Sequence, residues 1–359
     1  MIAPKPTEVV ANIPASTPFV GPETLERQMG QRFELRLGAN ESLFGPSPLA
    51  VEAMKLAAEQ GQFYGDPEGW ELRSEIARRN GCSIENVVLA SGIDELLMLF
   101  SRAFLALGDV AVTTRGSYPT FEYAVRSVGG RLVHAEYREC RPDLASISNL
   151  AGRDLAKIVY VANPDNPSGS WQSVALDVPE GAMLILDEAY SDFAPRMEHS
   201  IASNFVRMRT FSKGYGMAGI RVGYALCDPG HVQTLNKIRM HFGVSSVAQA
   251  GALAALKDAE HLAHLVEETT RVRSWLEHEM LALGFPSIPS HTNFLTISMG
   301  RPERAEGVLT ALREMGVFIR KPMLPPLDGY IRVTIGPMSV MEDFFTRFKR
   351  ALDRPQAVQ

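Results

Sequence analysis

The sequence has little cysteine and no long apolar run. Its three cysteines, Cys82, Cys140 and Cys227, are odd in number and lack the spacing of zinc ligands. They predict small core residues in a reducing cytoplasm rather than disulfides or a metal site. No apolar stretch reaches the roughly 18 residues of a membrane-spanning helix, and the N-terminus lacks an apolar signal core. We therefore expect a cytoplasmic protein without a membrane segment.

An excess of one charge is also absent. Lys and Arg together number 36, Asp and Glu 41, and the two signs are mixed along the chain. The absence of a basic face or a polybasic run excludes the usual nucleic-acid and membrane-surface binders. His261 and His264 lie one helical turn apart, but a solvated helix face is favoured because no third metal ligand is near in sequence. We predict no metal.

Seven short apolar segments alternate with helical stretches over the middle of the chain. They cover residues 87–90, 110–113, 132–135, 158–162, 183–186, 206–210 and 222–226. This pattern predicts an α/β fold with a mostly parallel seven-stranded sheet covered by helices. Ligands of such sheets bind beyond the carboxyl ends of the strands, so the polar residues that follow the strands should meet in one crevice.

The pattern changes beyond about residue 245. Predicted helices at 261–283, 302–315 and 339–352 alternate with predicted strands at 294–298, 317–320 and 330–335. We therefore predict a large domain over residues 35–245 and a smaller α+β domain over 246–359. Residues 1–34 are rich in proline and polar residues, which predicts an extended arm with one short helix that packs with the small domain.

A lysine follows the apolar segment 206–211 and enters a loop of small residues. Lys213 is a candidate carbonyl-trapping amine, a role that requires desolvation or a nearby positive charge to lower its pKa. Arg221, eight positions later, could supply that charge. A single lysine in a turn is more often exposed. The polar residues of the other loops favour the catalytic interpretation here.

The lysine loop also matches the dinucleotide-binding pattern G-x-G-x-x-G at residues 214–219. That fingerprint needs an acidic residue about 20 positions further on. Residues 237–243 read Lys-Ile-Arg-Met-His-Phe-Gly and offer none. Nicotinamide nucleotide binding is therefore a minor alternative.

Three other loops carry groups that suit a phosphate and a ring. Gly92 precedes a helix whose free N–H groups could bind phosphate, although a glycine there could equally serve a tight turn. Asn166 lies in a rigid turn between two prolines. Asp187 ends an apolar segment, where a buried carboxylate needs a cationic partner such as a protonated ring nitrogen.

The set Asn166, Asp187-Glu188-Ala189-Tyr190, Ser212-Lys213 and Arg221, at these separations, resembles the fold-type-I pyridoxal-phosphate aminotransferases. The sequence is most similar to their histidinol-phosphate aminotransferase branch, whose motifs match residues 39–41, 64–67 and 331–336. The resemblance covers about residue 17 to about residue 350. It implies an aspartate-aminotransferase-like large domain, pyridoxal 5'-phosphate as cofactor, and a place in amino-acid metabolism such as histidine biosynthesis. It also implies ping-pong transfer of an amino group between an amino acid or histidinol phosphate and a 2-oxo acid.

The resemblance further implies a role for each matching residue. Lys213 would hold the cofactor covalently and move the substrate proton, and Asp187 would pair with the pyridinium nitrogen. The other cofactor contacts would be Asn166 and Tyr190 at the phenolic oxygen, Phe121 on the ring face, and Gly92, Ile93, Asp94, Thr210, Ser212 and Arg221 at the phosphate. Tyr64 would reach the phosphate of the neighbouring subunit, which implies a homodimer with two shared sites. Arg332 and Asn40 are the candidates for substrate binding.

Two other functions remain open at this stage. One is a related pyridoxal-phosphate decarboxylase of a phosphorylated amino acid, and the other is a non-catalytic relative, against which Lys213, Asp187 and Arg221 argue. Ser42 and Leu43 replace the asparagine and proline usual in a loop that borders the substrate, so the sequence does not name the donor. Arg320 and Lys321 could bind a substrate anion or be solvated, and the solvated interpretation is favoured.

Overall fold

The computed structural model describes residues 4–14, 20–174, 176–197 and 201–354. Residues 1–3 and 15–19 of the predicted arm, and residues 355–359 of the predicted small domain, lie outside them. In the described part the helices are α1 (Glu8–Ala11), α2 (Pro22–Met29), α3 (Pro48–Ala58), α4 (Trp70–Asn80), α5 (Ile93–Phe104), α6 (Pro119–Ser127), α7 (Leu144–Arg153), α8 (Pro229–Asn236), α9 (Ser246–Lys257), α10 (Ala259–Ala282), α11 (Pro302–Glu314) and α12 (Met338–Leu352). The strands are β1 (Leu35–Arg36), β2 (Val87–Ala90), β3 (Val110–Thr114), β4 (Arg131–Ala135), β5 (Tyr137–Arg138), β6 (Arg141–Pro142), β7 (Ile158–Ala162), β8 (Met183–Asp187), β9 (Phe205–Thr210), β10 (Gly223–Leu226), β11 (Phe294–Ser298), β12 (Val317–Phe318) and β13 (Tyr330–Thr334).

A seven-stranded sheet in the order β2-β10-β9-β8-β7-β3-β4 forms the centre of the molecule. The pairs from β9 to β4 are parallel, and β10 runs antiparallel to both of its neighbours. Strands such as β3, β7 and β8 are buried along their whole length because helices cover both faces of the sheet. The predicted fold class is confirmed.

The register of the parallel strands brings their carboxyl ends to one edge. Ala162, the last residue of β7, pairs with Asp187, the last residue of β8, and Asp187 pairs with Met208 of β9. Loops that follow these strands therefore start side by side. This edge is where the sequence predicts the crevice.

A second core lies between α10, α11, α12 and the short strands near the C-terminus. β11 and β13 pair antiparallel, and β12 pairs in parallel with β1. The buried side chains of this core include Leu276, Val308 and Phe344, and also Leu35 and Leu37 from the start of the chain.

The predicted domain boundaries stay predictions, but two contacts bear on them. Strand β1 belongs to the C-terminal core, although residue 35 was placed at the start of the large domain. Helix α9 packs on α3 and α4, beside the large sheet, through Ala248, Ala252 and Ala255. These contacts favour a boundary near Asp258, where a single aspartate caps α10 and accepts a hydrogen bond from Ser47 at the start of α3.

None of the helices in the described ranges is both long and apolar enough to cross a membrane. The longest, α10, has 24 residues and carries charged side chains throughout its length.

Candidate active site

A cavity of about 310 Å³ opens at the carboxyl ends of β3, β7, β8 and β9. Its lining combines residues from the large sheet with residues from the C-terminal core and from the loop of residues 37–47 between β1 and α3, here called the first loop. The polar residues among them are Asn40, Glu41, Asp94, Tyr118, Asn166, Asp187, Tyr190, Thr210, Ser212, Lys213, Arg221, Arg320 and Arg332. The loops that follow these strands therefore meet at one cavity, as the sequence predicts.

Lys213 lies in a loop that is anchored at both ends. Phe211, directly after β9, is fully buried, and its carbonyl accepts a hydrogen bond from the buried Met217 at 3.0 Å. Between these anchors, Lys213 Nζ donates to the carbonyl oxygens of Asn40 at 2.9 Å and Ala39 at 3.4 Å. Burial, with Arg332 nearby, lowers the pKa of Lys213 to about 8. About a tenth of the amine is then neutral at pH 7, which a solvated lysine does not approach.

The lysine loop lacks the helix that dinucleotide binding requires. Residues 218–220 form a single 3₁₀ turn, and the chain then enters β10. No helix N-terminus is available there to hold a pyrophosphate. The G-x-G-x-x-G match therefore has no structural counterpart in this loop.

Asp187 is buried at the end of β8 and faces the cavity. Its Oδ1 accepts from the Ala189 N–H at 3.0 Å and its Oδ2 from the Tyr160 hydroxyl at 2.7 Å. Burial raises the pKa of Asp187 to about 6, against the hydrogen bonds, which lower it. No cation forms an ion pair with this carboxylate anywhere in the described residues, so it is suited to receive one from a ligand.

Glu188, the next residue, points the other way. Its carboxylate receives Arg207 Nη2 at 2.9 Å and Arg209 Nε at 2.8 Å, and its side chain is almost completely buried. Two arginines thus neutralise the charge of Glu188, whereas the carboxylate of Asp187 faces the cavity without an ion pair among the described residues. The sequence motif contains both acids but did not distinguish these roles.

Arg221 and the start of α5 line one end of the cavity and offer N–H donors that suit an anion. Arg221 Nη2 lies 3.4 Å from Asp94 Oδ2, and Thr210 and Ser212, joined by a 2.9 Å hydrogen bond, line the same wall. Gly92 has φ +89°, and a Cβ atom there would lie 2.6 Å from Arg221 Nη2. Only glycine lets the guanidinium approach the helix start this closely.

Tyr190 and Asn40 form a hydrogen-bonded pair beside Lys213. Asn40 Nδ2 lies 2.8 Å from the Tyr190 hydroxyl, and the Asn40 N–H donates to Thr334 Oγ1 at 3.0 Å. Burial raises the pKa of Tyr190 to about 12, so the hydroxyl keeps its proton. Asn40 is almost fully buried and fixes Tyr190, so its side chain is already engaged by protein groups.

Arg332 crosses from the C-terminal core to the cavity. Its Nη1 donates to Asn166 Oδ1 and its Nη2 to the Gly38 carbonyl at 3.1 Å, whereas its buried Nε has no partner among the described residues. Burial lowers the pKa of Arg332 to about 10, which leaves it cationic at neutral pH. The predicted residues Asn166 and Arg332 are thus brought together.

Arg320 corrects the interpretation favoured from the sequence. It lines the cavity beside Arg332, with which it forms a β-bridge, and its Nη2 donates to the Val20 carbonyl at 2.9 Å. Burial lowers the pKa of Arg320. Lys321 instead pairs with Glu306 at 3.7 Å outside the cavity. Two arginines of the C-terminal core, Arg320 and Arg332, therefore line the cavity, where the sequence favoured one.

The structure also corrects the predicted ring-stacking residue. Phe121 is completely buried and stacks on Tyr160, with 4.5 Å between the ring centroids, so it does not reach the cavity. Tyr118 lines the cavity instead, because it precedes the first turn of α6 at the end of the β3 loop. Its hydroxyl donates to Asp94 Oδ1 at 2.8 Å.

Three further residues that the sequence analysis singled out also lie away from this cavity. Tyr64 is 85% exposed and stacks on Phe242 with a centroid distance of 4.7 Å. Leu43 packs on Gly336 and the C-terminal core. Ser42 is not part of the lining either, so only Ala39, Asn40 and Glu41 of the first loop border the cavity.

A comparison with known protein families matches residues 34–348 to the family described as aminotransferase class I and II. The chain belongs to this family. The match covers both cores, and the predicted aminotransferase identity is confirmed. The catalytic roles assigned to single residues stay predictions.

Several aminotransferases are similar over nearly their whole length. The histidinol-phosphate aminotransferase of Moorella thermoacetica is 32% identical, with 97% of this chain and 93% of the relative covered. That of an Anaeromyxobacter species is 34% identical, with 91% and 94% covered. A crystal structure of histidinol-phosphate aminotransferase from Sinorhizobium meliloti in complex with pyridoxal-5'-phosphate has a TM-score of 0.93 and 38% identity, with 98% of each chain covered. An aspartate aminotransferase mutant from Thermus thermophilus, at 24% identity and TM-score 0.79, shares the fold, with 98% of this chain and 100% of that chain covered.

Proposed function

We propose that this aminotransferase uses pyridoxal 5'-phosphate to transfer an amino group to a 2-oxo acid. The amino donor is a molecule with an anionic group. The observation that carries the proposal is that the buried amine of Lys213 lines one cavity together with Arg221 and with the buried carboxylate of Asp187, which has no cationic partner among the described residues. The similar enzyme from Sinorhizobium meliloti binds this cofactor.

The donor set of the cavity fits the cofactor at each of its functional groups. Arg221, Thr210, Ser212 and the start of α5 offer cationic and neutral donors to a phosphate. Asp187 offers a negative charge to a ring nitrogen, and Tyr190 offers a hydroxyl beside Lys213. The volume of about 310 Å³ also leaves room for a substrate next to a small ring.

When bound, pyridoxal phosphate supplies an aldehyde and an electron-accepting ring. Asp187 would hold the ring nitrogen and keep it protonated. Lys213 Nζ takes the proton from the substrate α-carbon and can return it, because its tether holds the amine at the cavity. Tyr190, whose oxygen accepts a hydrogen bond from Asn40 Nδ2, would donate its hydroxyl hydrogen to the phenolic oxygen of the cofactor. The donor's product leaves before the acceptor enters, so the kinetics are ping-pong.

Arg332 and Arg320 support an anionic donor. Two guanidinium groups at one end of a cavity suit a phosphate or a carboxylate, since each can bind two oxygens. The similar enzymes named histidinol-phosphate aminotransferases make histidinol phosphate the first donor to test. We propose it as the substrate, with a role in histidine biosynthesis.

A spectral titration of the holoenzyme without acceptor tests this function. Histidinol phosphate is expected to convert the cofactor from its aldehyde form to its amine form rapidly, while glutamate and aromatic, aliphatic and basic amino acids serve as the comparison panel. Conversion by another donor instead would change the proposed substrate but would still support transamination. Release of carbon dioxide without any need for a 2-oxo acid would identify a decarboxylase, and no conversion at all would contradict transamination.

We also propose a homodimer in which Tyr64 completes the partner's phosphate site. Tyr64 and Phe242 are exposed and stacked on each other, and Phe63, Trp70 and Met240 expose apolar surface in the same two segments. Exposed apolar clusters of this kind indicate a protein interface. The free thiols of all three cysteines support a cytoplasmic location.

Replacing Tyr64 by phenylalanine is expected to weaken cofactor binding about tenfold, because one hydrogen bond to a phosphate is lost. Tyr123→Phe, a partly exposed tyrosine on α6, is the matched control and should bind as wild type. The measurement is the cofactor dissociation constant by absorbance.

Subunit mixing decides whether Tyr64 acts across the dimer. A hybrid of a Tyr64→Phe chain with a Lys213→Ala chain has one site with both native residues if Tyr64 crosses, and none if it acts within its own chain. Recovery of tight binding in half of the hybrid's sites is expected. Unchanged affinity in Tyr64→Phe itself would remove Tyr64 from the site.

A further inference from the structure

Tyr160 contacts Asp187 from outside the cavity lining. It lies on β7 and is completely buried, and its hydroxyl donates to Asp187 Oδ2 at 2.7 Å. Ala162 of β7 pairs with Asp187, so Tyr160 is a diagonal neighbour on the same face of the sheet. Phe121 covers its ring with an interplanar angle of 12°. The residue expected to stack on the cofactor thus fixes the phenol under the carboxylate.

We propose that Tyr160 is a positioning residue that keeps Asp187 ionised and directed into the cavity. The inference rests on the proposed cofactor. It goes beyond that proposal because it assigns the charge of Asp187 to a hydroxyl that lies outside the cavity lining.

The chemistry of the pair supports this role. Burial raises the pKa of Asp187, and Asp94 and Glu188 raise it further by repulsion. The Tyr160 hydroxyl and the Ala189 N–H are the groups that oppose this by donating to the carboxylate. Burial beside Asp187 also raises the pKa of Tyr160 well above its ordinary value, so the phenol keeps its hydrogen. From other elements, Asp94 on α5 faces Asp187 as an acid, Tyr118 and Tyr190 are neutral phenols, and Lys213 and Arg221 line the same cavity as cations.

The test is the pH dependence of pyridoxal phosphate affinity in wild type and Tyr160→Phe. Phenylalanine keeps the ring and its stack on Phe121 and removes one hydroxyl. In wild type, affinity should fall as the pH drops through about 6, where Asp187 becomes protonated. In the variant this fall should move up by about one pH unit, since a hydrogen bond to a charged group is lost. Binding below pH 6 is then about tenfold weaker than in wild type. The cofactor's own titrations are common to both proteins and cancel in the comparison.

Two controls separate this role from a structural one. Tyr137→Phe removes another buried phenol that donates to a carboxylate, Asp165, at 3.0 Å, and should lower thermal stability similarly without moving the pH curve. In an Asp187→Asn background, Tyr160→Phe should change cofactor affinity less than about twofold, because the titrating group is gone.

Each outcome decides the proposal. An upward shift in Tyr160→Phe that disappears in the Asp187→Asn background supports it. Superimposable curves for wild type and Tyr160→Phe overturn it, and so does an equal shift in Tyr137→Phe. A wild-type protein that binds no pyridoxal phosphate at any pH would instead contradict the proposed function.

Discussion

A Lys213→Ala variant is expected to retain no pyridoxal phosphate after borohydride reduction and denaturation, and to lose transamination by at least about 10³-fold. In the proposed mechanism this amine both attacks the cofactor aldehyde and moves the substrate proton, so its loss removes two functions together. The measurement is the absorbance of the denatured, reduced protein and the rate of the first half-reaction. Noncovalent binding should persist, because Asp187 and Arg221 remain.

The pH dependence of capture adds a second criterion for Lys213. Only the neutral amine attacks an aldehyde, and burial lowers the pKa of Lys213 to about 8. In wild-type apoprotein the capture rate should therefore rise with pH and level off above about 8. Lys237→Ala, which removes an exposed lysine after α8, is the control and should behave as wild type. Covalent retention in Lys213→Ala would show that another amine is responsible.

The second large effect is expected for Arg332→Ala. The donor's kcat/KM should fall by about 10²-fold or more, because this variant loses the buried charge that we propose for binding the substrate anion. The cofactor affinity should stay within about twofold of wild type, since Asp187, Lys213 and Arg221 are untouched. The measurements are half-reaction kinetics and the cofactor dissociation constant.

Arg320→Ala distinguishes the two kinds of donor anion. A phosphate has three outer oxygens and can engage both arginines, so a phosphorylated donor should lose rate in Arg320→Ala as well as in Arg332→Ala. A donor with one carboxylate needs Arg332 mainly. Arg271→Ala on the exposed side of α10 is the matched control. An Arg332→Ala enzyme with unchanged kcat/KM would exclude this arginine from substrate binding.

The sheet could be predicted from the sequence because its strands are continuous apolar segments. The predicted 158–162 matches β7, and 206–210 differs from β9 only at Phe205. The sequence places Lys213, Asp187 and Asn166 in the predicted crevice because polar residues at or shortly after the ends of buried parallel strands lie at the ligand-binding edge, and all three line the cavity. The local sequence of these residues and the parallel order of the strands together define the position of the site.

The aromatic and arginine positions depend on contacts that sequence does not contain. Tyr118 and Phe121 are three residues apart, and only the start of α6 at Pro119 decides which of them faces the cavity. Arg320 follows β12 by two residues, and its bridge to Arg332 places it in the lining. Both errors come from element boundaries, where a shift of one or two residues changes the direction of a side chain.

The neighbouring acids Asp187 and Glu188 require a fixed alternation of side-chain directions at the end of β8. Successive strand residues point to opposite faces, so one acid meets the cavity and the other meets Arg207 and Arg209. Inserting or deleting one residue in β8 would exchange the two environments: Asp187 would turn toward the arginines, and Glu188 would lose both of its ion pairs. The apolar positions of β8 can therefore accept substitutions of similar size, while the length of the segment before Asp187 cannot change.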